Sequence, residues 1–198
     1  MTARGARPFL RRPVVLAAAG VAVVLLVAAV LVFEPWKLVV DRTVDEPPPA
    51  AAAPDPGPAA PAAPAPPAPD AAPVAVEPVV LARGELISHE HASSGSVVVL
   101  ELPDGSRVLR LEDLDTSDGP LLKVWLTDAP VIEGRDGWYV FDDGAVVDLG
   151  DLKGNIGSSN YPIPADADLD ALTGVSIWCE RFAVSFAAAE LVPGSGAG

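Results

Sequence analysis

One thiol stands apart among the side chains that can do chemistry. Cys179 is the single cysteine of this 198-residue chain, and it ends a stretch in which Val175, Ile177 and Cys179 alternate with other residues. A period of two places these three side chains on one face of a β-strand. The chain is predicted to reverse at residues 180–181. In the second strand, Phe182, Val184 and Phe186 would lie on the same apolar side. The sequence therefore predicts a hairpin with a thiol on its apolar face.

Two interpretations of Cys179 are open from the residues alone. A free cysteine is often buried and then behaves as a small hydrophobic side chain. In an oxidising compartment, a lone cysteine risks mispairing and is flagged as a reactive or ligand-bearing thiol. As a nucleophile it would need a base such as His89 or His91, but an apolar setting and the neighbouring Glu180 both raise the pKa of a thiol. These residues favour a non-enzymatic role over a classical enzyme and leave the question open.

His89 and His91 form a second constellation. At spacing i, i+2 both imidazoles would share one face of an extended segment, and with Cys179 they make the His₂Cys ligand set of a blue-copper site. The only methionine is Met1, so the weak axial thioether of such sites is missing. With a carboxylate as the fourth ligand, the same three residues match the usual zinc ligand sets poorly. Copper is therefore a hypothesis that the ligand types permit and the rest of the sequence does not support.

A candidate membrane anchor lies near the N-terminus, upstream of the hairpin. Residues 14–33 are an uncharged run of mainly Val, Ala and Leu, which spans roughly 30 Å as a helix. This run is longer than the apolar region of a secretory signal peptide, so it predicts an uncleaved signal-anchor. Four arginines precede it and place the N-terminus in the cytoplasm by the positive-inside rule. We therefore expect a single-pass protein of the cell membrane with its C-terminal domain outside the cytoplasm.

A change in composition divides the chain after the anchor. The next segment is rich in Pro and Ala and predicts an extended, polyproline-like tether, which at about 3.1 Å per residue would reach on the order of 100 Å toward the cell wall. The predicted division is a cytoplasmic N-terminus at 1–13, a transmembrane anchor at 14–33, a Pro/Ala-rich linker at 34–79, a β-rich domain at 80–192 and a flexible tail at 193–198.

The predicted outer domain is strongly acidic. From residue 80 onward, seven Lys and Arg residues and twenty Asp and Glu residues leave a net charge of −13. This charge repels the phosphate backbone of a nucleic acid and an anionic lipid surface. Nucleic acid is therefore excluded as a partner.

Short strands separated by turns dominate the outer domain. Alternating apolar residues, interrupted by Gly, Pro and Asp, indicate antiparallel strands without a long amphipathic helix. The predicted elements are a hairpin over 96–111, a strand at 121–127, a hairpin over 138–149, an ordered loop or irregular edge at 150–164, a single helical turn at 166–172 and the hairpin that carries Cys179. The fold class is all-β, an antiparallel β-sandwich or a barrel-like domain.

Several motifs, in order, resemble the DM-thirteen domain family. They are Gly119-Pro120 before a Val-x-Leu strand, Asp148-Leu149-Gly150-Asp151-Leu152-Lys153-Gly154-Asn155-Ile156-Gly157, Asn160-Tyr161-x-Ile163-Pro164 and Val175-x-Ile177-Trp178-Cys179-x-x-Phe182-x-Val184-x-Phe186. The similarity extends from Gly84 to Leu191. It implies a β-rich extracytoplasmic domain of the bacterial membrane-anchored type, with a redox or electron-transfer role at Cys179.

The resemblance also implies how Cys179 would act, either as a bare thiol or as a ligand for a bound group such as haem. His91 matches a histidine common in bacterial members and is therefore the candidate second residue for binding a cofactor, with haem and copper both open. The expected partner is a redox protein or a cell-wall component. In the competing hypothesis, the domain is a non-catalytic binding or adhesion module, Cys179 is buried packing, and Trp178 on the opposite face is a second apolar layer or a recognition aromatic.

Overall fold

The computed structural model describes residues 11–49 and 77–194. One α-helix, α1, covers Arg11–Phe33, and short 3₁₀ helices cover Pro35–Val39 and Arg135–Gly137. The strands of the described residues are β1 (Thr43–Asp45), β2 (Val79–Glu85), β3 (Ile87–Ser88), β4 (Ser94–Glu101), β5 (Arg107–Asp115), β6 (Leu122–Thr127), β7 (Val146–Asp151), β8 (Ile156–Ile163), β9 (Gly174–Cys179), β10 (Val184–Glu190) and β11 (Val192–Pro193).

Helix α1 is long and apolar enough over Pro13–Phe33 to cross a membrane. None of this stretch is buried against the rest of the protein. A helix that is apolar all round and exposed along almost its whole length is unfavourable in water, whereas lipid solvates it. Helix α1 could therefore anchor the chain in a membrane. The predicted cytoplasmic N-terminus lies mostly outside the described residues.

The strands form two sheets. Sheet A has the order β1-β8-β5-β4-β2-β11, and sheet B has the order β3-β10-β9-β6-β7. All pairings are antiparallel except the one between β1 and β8. Among the described residues the two sheets stay separate and pack face to face as a sandwich, with no closed barrel. The predicted all-β fold is confirmed, and of the two architectures the sequence left open it is the sandwich.

The core lies between the two sheets and follows from alternation along the strands. In β6, Leu122, Val124 and Leu126 are buried and belong to one cluster. Opposite them, Val97 and Leu109 of sheet A join the same cluster with no exposed surface. Burying such side chains contributes about 1.5–3 kcal/mol each. This alternation is why β6 was predictable from the sequence.

The hairpin predicted over residues 96–111 is present as β4 and β5. Its turn is held locally, because the backbone N–H of Ser106 donates to Asp104 Oδ1 at 2.9 Å and Gly105 adopts a φ of 81°. The predicted helical turn at 166–172 is also present as one turn, in which Leu172 N–H donates to Asp168 O at 2.9 Å.

Two of the predicted elements are wrong. Residues 138–141 form no strand, and β7 pairs with β6 instead of with them. Phe141 is fully buried in a second cluster outside the sandwich core, so packing of that aromatic ring replaces strand pairing. The segment 150–164, predicted as an ordered loop or irregular edge, contains β8, which lies between β5 and β1 and not at an edge of the sheet. Hydrogen bonding on both edges outweighs the low strand propensity of its Gly, Ser, Asn and Pro residues.

Strand β1 changes the interpretation of the linker. Residues 43–45 fall inside the predicted linker 34–79, yet they pair in parallel with residues 156–158 of β8. This corrects the predicted boundary, since the sheet begins ahead of the Pro/Ala-rich segment. Residues 50–76, the greater part of the predicted linker, lie outside the described residues. They connect β1 to β2, two strands of one sheet.

Candidate functional site

Cys179 lies at the end of the central strand of sheet B. Strand β9 runs between β10 and β6, where Cys179 pairs with Val184 and with Leu122. Its side chain has no exposed surface and belongs to the main core cluster with Val175 and Ile177. The predicted face of β9 is therefore confirmed.

Two short segments cover the thiol, and together we call them the cap: residues 119–121 before β6 and residues 180–183 between β9 and β10. The Cys179 thiol donates to Pro120 O at 3.2 Å. The segments are joined to each other, because Glu180 N–H donates to Leu121 O at 3.1 Å. The second segment closes on the strand, with Phe182 N–H donating to Cys179 O at 3.2 Å.

The cap holds two residues in an unusual backbone conformation. Leu121 has φ 63° and Ala183 has φ 48°, in the left-handed region that costs a residue with a Cβ atom about 1–2 kcal/mol. Close packing also restricts the cap, since a Cβ at Gly119 would lie 2.9 Å from Phe186 Cζ. Strain of this kind persists only where the surrounding structure imposes it. The cap is therefore a candidate site in its own right.

The turn of the hairpin departs from the prediction. Phe182 was expected on the apolar face with Val184 and Phe186, but it lies in the cap and is 48% exposed. Strand β10 begins only at Val184, and a register shift occurs between Ser185 and Ala187. The reversal takes four residues instead of two, which moves Phe182 out of the core.

The surroundings of the thiol determine its charge. Burial raises the pKa of Cys179, and the nearby Glu90 carboxylate acts in the same direction. The backbone N–H groups of Phe182 and Arg181 favour the thiolate and oppose this shift, but they do not overcome the loss of solvation. With the cap closed, Cys179 is a neutral thiol at neutral pH.

The two histidines do not share a face. The extended segment ends with β3 at Ser88, so the chain bends at residues 89–91 and the predicted i, i+2 arrangement is wrong. The His91 ring packs on Phe186 with ring centroids 3.9 Å apart. His89 instead contacts Phe141, at 5.7 Å between centroids. His91 therefore borders the core that contains Cys179, while His89 lies in a different cluster.

We call that second cluster the outer aromatic cluster: His89, Trp125, Phe141 and Trp178. Trp178 is buried on the face of β9 opposite Cys179 and stacks on Trp125 at 5.1 Å between centroids. It therefore fills a second apolar layer, one of the two roles left open from the sequence. His89 Nε2 lies 3.1 Å from Ile132 O, and burial lowers the pKa of His89. Within the described residues, His89 Nδ1 and Trp125 Nε1 are buried without a hydrogen-bond partner.

Sequence reasoning missed Arg42 and Asp118. Arg42 Nε donates to Asp118 Oδ2 at 3.0 Å, and the Asp118 side chain is only 2% exposed. The backbone N–H of Arg42 also donates to Asn155 Oδ1 at 2.6 Å. Asp118 directly precedes the cap, and its Oδ1 accepts the Gly119 N–H at 2.8 Å. Two sequence features could have pointed to this ion pair: an arginine next to the Pro/Ala-rich segment, and an acidic residue directly before Gly119-Pro120.

Comparison with protein families decides the identity of the domain. The family model described as Electron transfer DM13 matches residues 85–191, more than half of the chain. The chain belongs to the DM13 family. The resemblance found in the motifs is thereby confirmed. Comparison with curated proteins and with solved structures gives no match.

Copper and haem, the two cofactors that the sequence left open, can be compared with the surroundings of Cys179. In the described ranges, no group of three or more His, Cys, Asp or Glu side chains is placed to hold a metal ion, so His89, His91 and Cys179 do not make a copper site. Haem needs an open face beside its ligand, but Cys179 is fully buried and its thiol already donates to Pro120 O. Neither group fits at Cys179 with the cap closed.

A cavity of about 460 Å³ opens elsewhere in the DM13 domain. Its lining includes Leu81, Arg107 and Leu169, and the Arg107 guanidinium is occupied by bonds of 2.9 Å to Pro164 O and Ala165 O. The cavity does not include Cys179 or His91 in its lining. This cavity therefore lies apart from the predicted site residues Cys179 and His91.

Proposed function

We propose that this protein is a membrane-anchored electron-transfer domain whose redox-active group is the bare thiol of Cys179. Membership of an electron-transfer family supports the redox role, and the apolar helix α1 supports the anchor. The observation that carries the choice of Cys179 is its cap, in which a buried thiol is covered by two strained residues, Leu121 and Ala183. His91 is proposed only as a neighbour that packs on Phe186 at the edge of this core.

The chemistry that suits a bare, lone thiol is exchange with a disulfide of a redox partner. The sulfur of Cys179, once deprotonated, attacks one partner sulfur, and a new S–S bond forms as the partner's S–S bond breaks. The leaving thiolate takes up a proton, so the leaving partner sulfur is reduced while Cys179 is oxidised. A second thiol that attacks the mixed disulfide releases Cys179 as a thiol and completes the transfer.

This exchange requires the cap to move. With the cap closed the raised pKa keeps Cys179 protonated, and the sulfur has no exposed surface. Opening the contact between Leu121 and Glu180 would uncover the sulfur and give the partner's disulfide access to it. Exchange then occurs from a minor open state, whose population limits the rate.

Thiol labelling of the full chain in lipid nanodiscs tests the proposal. We would add 5,5′-dithiobis(2-nitrobenzoate), which releases one chromophore for each thiol that exchanges, and follow the intact mass. The control is Ser176→Cys in a Cys179→Ser background, because Ser176 is equally buried in β9 but lies away from the cap. Opening of the cap predicts that Cys179 reacts at least tenfold faster than the thiol at 176, well below the unfolding transition.

One observation favours the second candidate function, a non-catalytic binding or adhesion module. Complete burial and a raised pKa are also what inert core packing of Cys179 would show. In that case, Cys179 and the thiol at position 176 react at the same rate and only on unfolding. A visible chromophore that is stoichiometric with protein and lost in Cys179→Ala would instead reject the bare thiol in favour of a bound group.

A further inference from the structure

Two exposed apolar side chains of the cap lie at the end of helix α1. Phe182 is 48% exposed and Leu121 is 47% exposed, and we call this pair the cap patch. Phe33, the last residue of α1, stacks on Phe182 with ring centroids 5.9 Å apart and planes within 7°. The cap of Cys179 therefore touches the residue at which the candidate span ends.

The chain between α1 and the sandwich is too short to separate them widely. Residues 34–42 include the 3₁₀ helix Pro35–Val39, and at about 2.0 Å per 3₁₀ residue and 3.5 Å per extended residue they reach roughly 25 Å. Strand β1 follows immediately and is paired with β8. The domain therefore stays next to the end of α1 as long as β1 remains in the sheet.

The ion pair between Arg42 and Asp118 also fixes which side of the domain lies near α1. Arg42 precedes β1 and holds Asp118 through both carboxylate oxygens, at 3.0 and 3.2 Å. Asp118 leads directly into Gly119, Pro120 and Leu121 of the cap. The same contact that attaches the juxtamembrane chain to the domain thus brings the cap patch to the end of the helix.

We propose that the cap patch is a lipid-contact surface that inserts at the boundary between headgroups and acyl chains where α1 leaves the membrane. This rests on the anchoring part of the proposed function and not on its redox part. Continuity with Phe33 identifies lipid as the occupant, and Trp36, 42% exposed, is of the type enriched at membrane interfaces. Glu180 and Arg181, which directly precede Phe182, carry opposite charges, which suits zwitterionic lipid.

The acidic character of the domain agrees with this choice of lipid. A net charge of −13 from residue 80 onward is repelled by anionic headgroups, so apolar contact and not charge must hold the cap patch in place. The surface argued for is small, and it works because α1 already keeps the domain at the bilayer.

Spin-label accessibility in phosphatidylcholine nanodiscs tests the proposal on the full chain. In a Cys179→Ala background, a nitroxide is attached at Phe182→Cys, and its relaxation by oxygen and by a water-soluble nickel chelate is compared. The matched control is Val192→Cys, an exposed apolar position in β11, at the opposite edge of sheet A from β1. We expect oxygen to relax the label at 182 several-fold more than the chelate does, and the reverse at 192.

A third label separates the failure of this inference from the failure of the anchor. Val24→Cys lies in the middle of α1 and must favour oxygen if α1 spans the bilayer. If the label at 24 is in lipid while the label at 182 meets the chelate as freely as the one at 192, the cap patch does not contact lipid. If the label at 24 is also in water, the anchor itself is wrong and both proposals fall.

Discussion

The two faces of strand β9 differ in how well their polar groups are satisfied. On the inner face, Cys179 is fully buried and its thiol has an acceptor in Pro120 O. On the outer face, the cluster around Trp178 contains His89 Nδ1 and Trp125 Nε1, which are buried without a partner among the described residues. An unsatisfied buried donor or acceptor costs about 1–3 kcal/mol. Cys179 and Trp178, adjacent residues of one strand, thus face surroundings that differ in how completely buried polar groups are hydrogen-bonded.

Substitutions on the two faces of β9 should therefore affect different properties of the protein. The outer aromatic cluster is built from large rings, so its contribution to stability is mainly the area that those rings bury. The inner face near Cys179 contains a small side chain under a strained cap, so changes there should affect the accessibility of the thiol more than global stability.

Trp178→Ala should be the most destabilising change, because it removes the ring on which Trp125 stacks and which Phe141 meets edge-on. We expect a loss of about 3–5 kcal/mol in the free energy of unfolding. Cys179→Ala, on the other face, should cost roughly 1–2 kcal/mol for the lost sulfur and its hydrogen bond. Urea unfolding followed by far-ultraviolet circular dichroism measures both. Equal losses would mean that the faces do not differ.

Arg42→Ala should act on the inner face from a distance. The change leaves the Asp118 carboxylate buried without its partner, and since Arg42 is half-exposed we expect a loss of roughly 1–3 kcal/mol. Cys179 should also become more reactive toward a thiol reagent, because Asp118 holds Gly119 of the cap. Arg83→Ala, at an exposed position of β2, is the control and should change neither. Unchanged thiol reactivity in Arg42→Ala would mean that the ion pair between Arg42 and Asp118 does not support the cap.

Local signals made part of the fold predictable. The alternation in β6 and the Asp104-Gly105 turn between β4 and β5 are encoded within a few residues, so those elements could be assigned from sequence. Strand β8 could not, because its Gly, Ser, Asn and Pro residues become a strand only by pairing with β5 and β1. Strand β1 was hidden for the same reason, since its partner lies more than a hundred residues away.

The site was predictable to a similar extent. The period of two placed Cys179 on the inner face of β9 and Trp178 on the other, because alternation along a regular strand is a local property. The histidines were misplaced because β3 ends at Ser88, just before them. The strain at Leu121 and Ala183 has no sequence signal, since left-handed backbone at residues with a Cβ is imposed by tertiary packing.

The outer face should also respond to mild acid through His89. Burial lowers the pKa of His89 in the folded protein, so below about pH 6.5 the unfolded chain binds a proton that the folded chain does not. Stability is therefore complete above that pH and falls as the pH decreases, by at most about 1.4 kcal/mol per pH unit for this one group. Urea midpoints at pH 7.5 and 5.5 measure the loss.

His89→Gln is the matched variant for the pH dependence. It keeps a polar side chain at the same position but cannot be protonated in this range, so its urea midpoint should fall less between pH 7.5 and 5.5. The carboxyl groups of Glu46 and Asp151, whose pKa values are lowered mainly by hydrogen bonds to lysines, titrate below this window and affect both proteins equally. If His89→Gln loses as much stability as the parent, His89 does not carry the effect.

Ala183→Gly should give the smallest change in stability and the most specific information about the cap. At φ 48° a Cβ is unfavourable, and removing it gains about 1–2 kcal/mol, of which the greater flexibility of glycine in the unfolded chain takes back about 0.5–1 kcal/mol. We therefore expect the free energy of unfolding to rise slightly, whereas Ala188→Gly, in the regular part of β10, should lower it. Relief of strain also stabilises the closed cap, so Cys179 should be labelled more slowly in Ala183→Gly than in the parent. Faster labelling would mean that the left-handed residue holds the cap closed instead of straining it. The turn at Ala183, and not the packing of the inner face, would then keep Cys179 from the reagent.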